Sequence, residues 1–403
     1  MILSLNTYKL FFLILFMLSM FIGSIRFPFG PIRLDLIAGV GILLFCLIKY
    51  KTINKKILIK LLPFTFFLMY FVFHIFLHKS SIMIRDILYG IMPLYTMLLY
   101  YILSYLVQRL DKQFLYKCFT FFIIINFIVL ITQYTNIFNL NTLLNPYYEF
   151  ISKNNAVDSK VNAFFMRPFG LTGNPTFLTF ISYLIYKMCL CVKKSKLNAI
   201  LTFLTMLISG GRTILFFAIL WEPFAFIVNR MHNVHNLKIL LKRVFKIMCF
   251  IVLFTGLIIG CIYFVPFLHQ QVWNGIVEGW FFQSDSYAYR AEMYGMLKKA
   301  GFLQILFGWL TYDSIQRMGI TYVDSEYVMR ILQFGIVGLI LIFYPLLVFA
   351  RRNRFNLASI FLFAICLVFA SSQFTITNYA FIFYITLYMA VIDKFSKRRN
   401  NGK

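Results

Sequence analysis

The chain has 403 residues, of which 61% are hydrophobic and 20% aromatic, and its mean hydropathy is +0.81. These values exclude a soluble globule, because too little polar sequence remains to cover an exterior in water. The net charge of +26 would suit nucleic acid, but Lys and Arg come in short clusters between apolar runs and form no single basic face, which is the orientation pattern of a membrane protein.

A spanning helix needs about 20 apolar residues. Runs of that kind predict spans near 10–25, 34–48, 61–77, 87–107, 118–135, 174–192, 197–210, 213–229, 247–265, 327–349, 356–374 and 379–392. The expectation is an all-α polytopic membrane protein of about twelve transmembrane helices, forming a single membrane domain over 1–403. The first run lacks a small-residue cleavage site and more spans follow it, so it reads as a retained helix. Alternate loops hold Lys9, then Lys49–Lys60, Arg109–Lys117, Lys193–Lys196, Arg230–Lys246, Arg351–Arg354 and Lys394–Lys403. These basic loops are assigned to the cytoplasm, together with both termini. The other loops hold most of the acids, including Asp158, Glu278, Asp285, Asp313, Asp324 and Glu326.

Parity decides one segment. The apolar stretch 197–228 would be about 48 Å long as one helix, against a hydrocarbon core of about 30 Å. Both its flanks are basic, so it goes out and returns, turning at Ser209-Gly210-Gly211-Arg212, where paired glycines end the helix. Two outer loops are long, about 136–173 and 266–325, and loops of that length are uncommon without a function. The second contains WNGIVEGWFF and YRAEMYGMLKKAGFLQILFGW, which predict amphipathic helices lying on the membrane face.

Four outer-side arginines stand out: Arg167 in MRPFGLTGNP, Arg212 in the Gly-Gly turn, Arg290 in the large loop and Arg330 one turn into a span. Arginine's planar fork suits a di-anionic phosphate, while the plain alternative is an interfacial anchor. For Arg330 the anchor is the preferred reading, and for Arg212 the phosphate contact. Asp324 and Glu326 sit where the large loop enters the membrane. Either could take a proton from an attacking hydroxyl, and either could serve the start of a helix, with Asp324 or Ser325 as cap. No Gly-rich phosphate loop and no DxD is present, and His269 is the only histidine in the long outer loops. All seven cysteines lie in or beside apolar runs, and His232 and His235 fall in a basic loop, so neither a disulfide nor a metal site is expected. Glu222, beside Pro223, is the one acidic candidate for a mid-membrane site.

The segment ISGGRTILFF resembles the S-x-S-R turn of the O-antigen polymerase and O-antigen ligase superfamily, membrane glycosyltransferases of the GT-C class, with Gly211 in place of the second serine. MRPFGLTGNP is similar to the R-x-x-G…PN segment of that family. Arg290 and Gly301 match its R-X10-G polymerase pattern, and Asp324 and Gly335 copy the ligase H-X10-G pattern with aspartate for histidine. Arg167 has Leu178 at the corresponding distance, so only the arginine carries over.

The resemblance implies a glycosyltransferase that moves a growing glycan from undecaprenyl diphosphate onto a lipid-linked repeat unit. It implies Arg167, Arg212 and Arg290 on the diphosphate, Asp324 or Glu326 as base, and no cofactor. The implied setting is the periplasmic face of the bacterial inner membrane, among membrane lipids, with a chain-length regulator as candidate partner and no role for nucleic acid. The alternatives are a ligase that delivers glycan to lipid A-core and a polysaccharide flippase.

Overall fold

In this protein helices form where apolar runs are long enough for a bilayer, and short polar or glycine-bearing segments end them. The computed structural model describes residues 5–20, 24–27, 30–33, 84–136, 170–172, 174–231, 294–311, 325–371 and 379–400, with positions 65, 67–74, 76, 256, 260, 314 and 315. In chain order they form α1 (Leu5–Met20), a hairpin of β1 (Ser24–Phe27) and β2 (Gly30–Arg33), α2 (Ile84–Arg109), α3 (Lys112–Thr135), α4 (Pro175–Val192), α5 (Lys196–Ser209) and α6 (Arg212–Met231). The short α7 (Phe302–Phe307), α8 (Glu326–Arg352), α9 (Leu357–Ala370) and α10 (Tyr379–Asn400) complete them.

Tyr89–Arg109, Lys112–Thr135, Pro175–Val192 and Glu326–Arg352 are long and apolar enough to cross a membrane, and Asn6–Met20, Lys196–Ser209, Thr213–Val228 and Leu357–Ala370 are shorter apolar helices. Outside the hairpin the elements of the described residues are helical and of membrane-embedded type. The predicted span 34–48 lies outside the described residues, as does most of 247–265.

Polar caps explain where several helices start. The Asp111 carboxylate accepts the Phe114 N–H at 2.6 Å to open α3. The Asn174 side chain accepts from Thr176 and Phe177 to open α4, where Pro175 takes the first helical position, and Asn356 accepts from Ser359 at 2.8 Å to open α9. Each such cap contributes about 1 kcal/mol. The long apolar run breaks where its glycines predict: α5 ends at Ser209, Gly210 is left-handed at φ 65°, and α6 begins at Arg212.

The first span differs from the expected 10–25. The helix runs Leu5–Met20 and the chain then enters the hairpin. The reason is Lys9, which reads as a flanking charge but sits inside α1. It reaches Asp111 at 2.7 Å, so the helix keeps the charge with an acidic partner in place of part of its water.

Helix α10 is the packing centre. Residues 381–394 are buried on every side, as an apolar helix within a bundle must be. Phe381 meets Phe177 and Phe180 of α4 at ring centroids of 4.5 and 4.9 Å, and Phe369 of α9 at 5.2 Å. Tyr384 meets Phe122 of α3 at 5.8 Å and accepts from Ser19 of α1 at 3.2 Å. In lipid such close packing supplies the attraction that water would otherwise drive, and each aromatic pair adds about 0.5–1.5 kcal/mol.

One end of the helices gathers the basic residues. Asp393 of α10, 1% exposed, accepts from Tyr100 and from Asn353 at 3.1 Å and pairs with Arg352 at 3.3 Å. Lys394 donates to the carbonyls of Val107 and Leu110 at the end of α2, where a cation also meets the negative pole of the helix. The Lys9 ammonium, followed by the Phe114 N–H, holds the Asp111 carboxyl below its usual value. We call this the basic end, and the opposite one, where the long loops attach, the loop end.

Candidate functional site

At the loop end α8 is broken. Gly335 has φ 68° and ψ −176° inside an otherwise continuous helix, a conformation only glycine adopts freely. The break lies about 14 Å into the helix from Glu326, and it frees carbonyls that lipid could not satisfy. Residues of the large loop and of helix 67–74 satisfy two of them. Trp309 and Leu310 N–H both donate to Leu332 O, at 3.0 and 3.1 Å, and the Tyr70 hydroxyl donates to Phe334 O at 2.9 Å.

The contact is backbone on backbone. A Cβ at Gly335 would lie 2.2 Å from Leu306 O, and one at Gly308, itself at φ +78°, would lie 2.3 Å from Gln333 O. The stretch after α7 therefore enters the bundle. Of the helices expected in this loop, α7 is among the described residues, and the stretch that follows it docks on the freed carbonyls of α8. Phe302 and Leu303 of α7 keep an apolar outward side, at 77% and 68% exposure.

Beside the break, α8 buries charge. Glu326 and Arg330, one turn apart on one face, are both 0% exposed, as is Gln333. The Arg330 guanidinium stacks 3.7 Å from the ring centroid of Tyr89 in α2 and donates to the side-chain oxygen Oε1 of Gln333. A desolvated cation–π contact contributes about 2 kcal/mol, against a burial penalty of several kcal/mol per ion. Arg330 is thus no snorkelling anchor. The anchor reading follows from its place in the first turns of a span and fails because the side chain is fully buried, with Tyr89 of α2 against it, while helix 67–74 packs on α8 one turn further along. His74 and Phe71 of helix 67–74 pack on Phe334 at 5.5 and 5.2 Å, and Gly90 of α2 lets Phe71 approach. Ser325 takes the cap position of α8 without a side-chain cap bond, and Glu326 fills the first turn.

Two further turns meet at the loop end of α4. A Cβ at Gly211 would lie 2.1 Å from Thr179 Oγ1, so the glycine turn before Arg212 rests on the first turns of α4. The turn Gly170–Thr172, three residues after Arg167 in sequence, leads directly into the same helix. It is held by Asn126 and Gln133 of α3. Contacts carry this end across to α8: Phe180 of α4 stacks on Phe369 of α9 at 4.6 Å, and the Tyr327 hydroxyl donates to Leu367 O at 2.5 Å.

Of the residues singled out in the sequence, Glu326 and Arg330 come together, and Arg212 opens α6, its backbone alone being described. Arg167, Arg290, Asp324, His232, His235 and His269 lie outside the described residues. Glu222 is an engaged group: it pairs with Lys187 at 2.5 Å and accepts from the Tyr183 hydroxyl at 2.7 Å. Asn126, Gln133 and Gln333 escape a search for charges. The signal available for the first two is a pair of amides seven residues apart, hence on one face, inside an apolar run. Comparison of the chain with family models, curated proteins and solved structures gives no match.

Proposed function

We propose that this chain polymerises lipid-linked oligosaccharide repeat units, as an O-antigen polymerase does, at the outer face of the bacterial inner membrane. In this reading about twelve spans hold the loop end outward and both termini in the cytoplasm. The donor is a glycan on undecaprenyl diphosphate, and the acceptor is a sugar hydroxyl of a new lipid-linked repeat.

Asp324, or Glu326 in its place, takes the hydroxyl proton. The resulting oxygen attacks the anomeric carbon of the donor sugar, and the bond from that carbon to the diphosphate oxygen breaks. The diphosphate leaves with its lipid carrier, its growing charge met by Arg167, Arg212 and Arg290. Such preorganised cations act where charge develops, so the chemistry runs without a cofactor.

The observation that carries the reading is convergence. The turn after Arg167 and the turn before Arg212 both abut the start of α4, at the end where α8 begins with Glu326. The test is to supply purified protein in lipid with undecaprenyl-diphosphate-linked repeats as the sole glycan. Chain growth is expected, with its loss in Arg212→Ala and Arg290→Ala. Intact ladders in both variants would falsify the mechanism. Transport of the same lipid is the second reading, favoured by the broken α8 with buried charge beside the break. Inward-to-outward movement of labelled lipid without chain growth would select it.

A further inference from the structure

We infer that the stretch 301–310 is a re-entrant segment whose outward side, Phe302, Leu303 and Phe307, meets the acyl chains of the surrounding bilayer. The inference rests on α8 as a membrane span and is independent of the reaction proposed above. Arg351, exposed at the basic end of α8, marks one boundary of the hydrocarbon. Counting about 30 Å of core from it, at about 1.5 Å per residue, reaches Ile331. The break at Gly335 shortens that climb, so 332–335 lie inside the core. Residues that touch them share that depth. Leu306 and Phe307 lie against Gly335, Gly308 lies against Gln333, and Trp309 and Leu310 bond Leu332. The Tyr70 hydroxyl bridges the two backbones, meeting Phe307 O at 3.2 Å and Phe334 O at 2.9 Å.

The segment has the chemistry for that depth. No residue between Lys299 and Asp313 is charged, and an apolar run of roughly 10–14 residues is too short to span but long enough to dip in and return. Lys298 and Lys299, both exposed, put charge at its entrance, where a long basic side chain reaches the headgroups. Hydrocarbon offers no water to backbone groups, so they must bond within the protein. The Ile305 N–H donates to Gly301 O at 3.0 Å and the Gly308 N–H to Gln304 O at 2.7 Å, while Trp309 and Leu310 use a carbonyl freed by the break of α8. The Gln304 side chain turns back to accept the Gly301 N–H at 2.9 Å. One side of the segment is packed: Trp309 and Leu310, with Met296 and Leu297, cluster with Val328, Met329 and Leu332. The other side leaves Phe302 and Leu303 exposed, with Phe307, one turn after Leu303, at 44%. In water this would be a bare apolar patch. At the depth of the break it is covered by acyl chains, as are the exposed Leu220 and Phe224 of α6.

The experiment places photoreactive benzoylphenylalanine in place of Leu303 or of Phe307, in the full chain in nanodiscs of a single phospholipid, and reads intact mass after irradiation. A gain of one phospholipid is expected at both positions, as at Leu220, the control on a span. No lipid gain is expected at Leu310, which is 7% exposed and cross-links within the chain. Cross-linking of positions 303 and 307 to another part of the chain, or to a second copy, in place of lipid overturns the inference. A second arm needs no bulky probe. Leu303→Asp puts a carboxylate into hydrocarbon and is expected to release the segment, so that protease cleaves 301–311 about tenfold faster than in wild type. Lys298→Asp, at the entrance, is expected to leave cleavage unchanged. Equal cleavage of Leu303→Asp and wild type would mean that this side faces water, and overturns the inference as well.

Discussion

The two ends of the bundle are held by different chemistry. At the basic end charge closes on charge: Asp393 is ringed by Tyr100, Arg352 and Asn353, Lys394 covers the carbonyls of α2, and Lys9 meets Asp111. At the loop end the fastenings are mostly neutral. Amides hold the turn at Gly170, Thr179 receives Gly211, and Gly308 and Gly335 bring two backbones together. The difference teaches that the basic end spends its charges on its own closure. The loop end closes by backbone docking and neutral hydrogen bonds.

The largest effect that would break this contrast is at Asp393. Asp393→Ala leaves Arg352 and Tyr100 with a buried gap, and is expected to cost about 3–5 kcal/mol. The measure is the melting of detergent-solubilised protein, and a change under about 1 kcal/mol would mean that the basic end is not closed by charge. Next comes Gly335→Ala, which adds a Cβ against Leu306 O at a positive φ. It is expected to cost about 2–3 kcal/mol and to open the stretch 301–311 to limited proteolysis, with the basic end unchanged by hydrogen exchange. Unaltered cleavage would show that the loop is held by something other than the break.

The mid-bundle pair sharpens the comparison further. Lys187→Met and Glu222→Gln are expected to couple by about 1–2 kcal/mol in a double-mutant cycle, with the double variant more stable than Lys187→Met alone and chain growth retained. Loss of growth in the double variant at normal stability would move the pair from structure into function. The smallest effect is at Asp111, whose folded-state pKa is depressed by Lys9 and by the Phe114 N–H. Its stabilisation is present above its unfolded value of 3.8 and is lost as pH falls through the folded one. A small excess in Tm of wild type over Asp111→Asn at neutral pH should thus vanish in acid. A gap that persists there would assign the effect to packing.

Much of the helical frame was legible because apolar run length and paired glycines are local facts. The bounds of α2, α4, α5 and α6 follow from them to within a few residues, as do the end of α3 and the break before Arg212, while α3 starts at Lys112, ahead of the expected 118. The errors arose where a residue's meaning depends on a distant one. Lys9 reads as a loop charge until Asp111 is beside it. The residues 24–33 carry two prolines, which argue against strands, yet they pair across a two-residue connection. The run from Tyr327 to Phe349 gives no local sign that Gly335 is left-handed, because the cause is the chain of the large loop pressed against it. Arg330 shows the same limit: its position along the helix is written in the sequence, while the cover provided by Tyr89 comes from another helix. The candidate site was legible as residue types on one side of a topology, and its amides were not, since they contact backbone and carry no charge.

Helix α10 touches α1, α2, α3, α4, α8 and α9, yet it follows all of them in the chain. During synthesis the helices it joins must wait in the membrane around an unfilled centre, with Phe122 and the stacked pair Phe180 and Phe369 lining it. Final assembly is thus gated by the last of these segments to leave the ribosome, and a ribosome stalled before Tyr379 should expose a half-built bundle to membrane quality control.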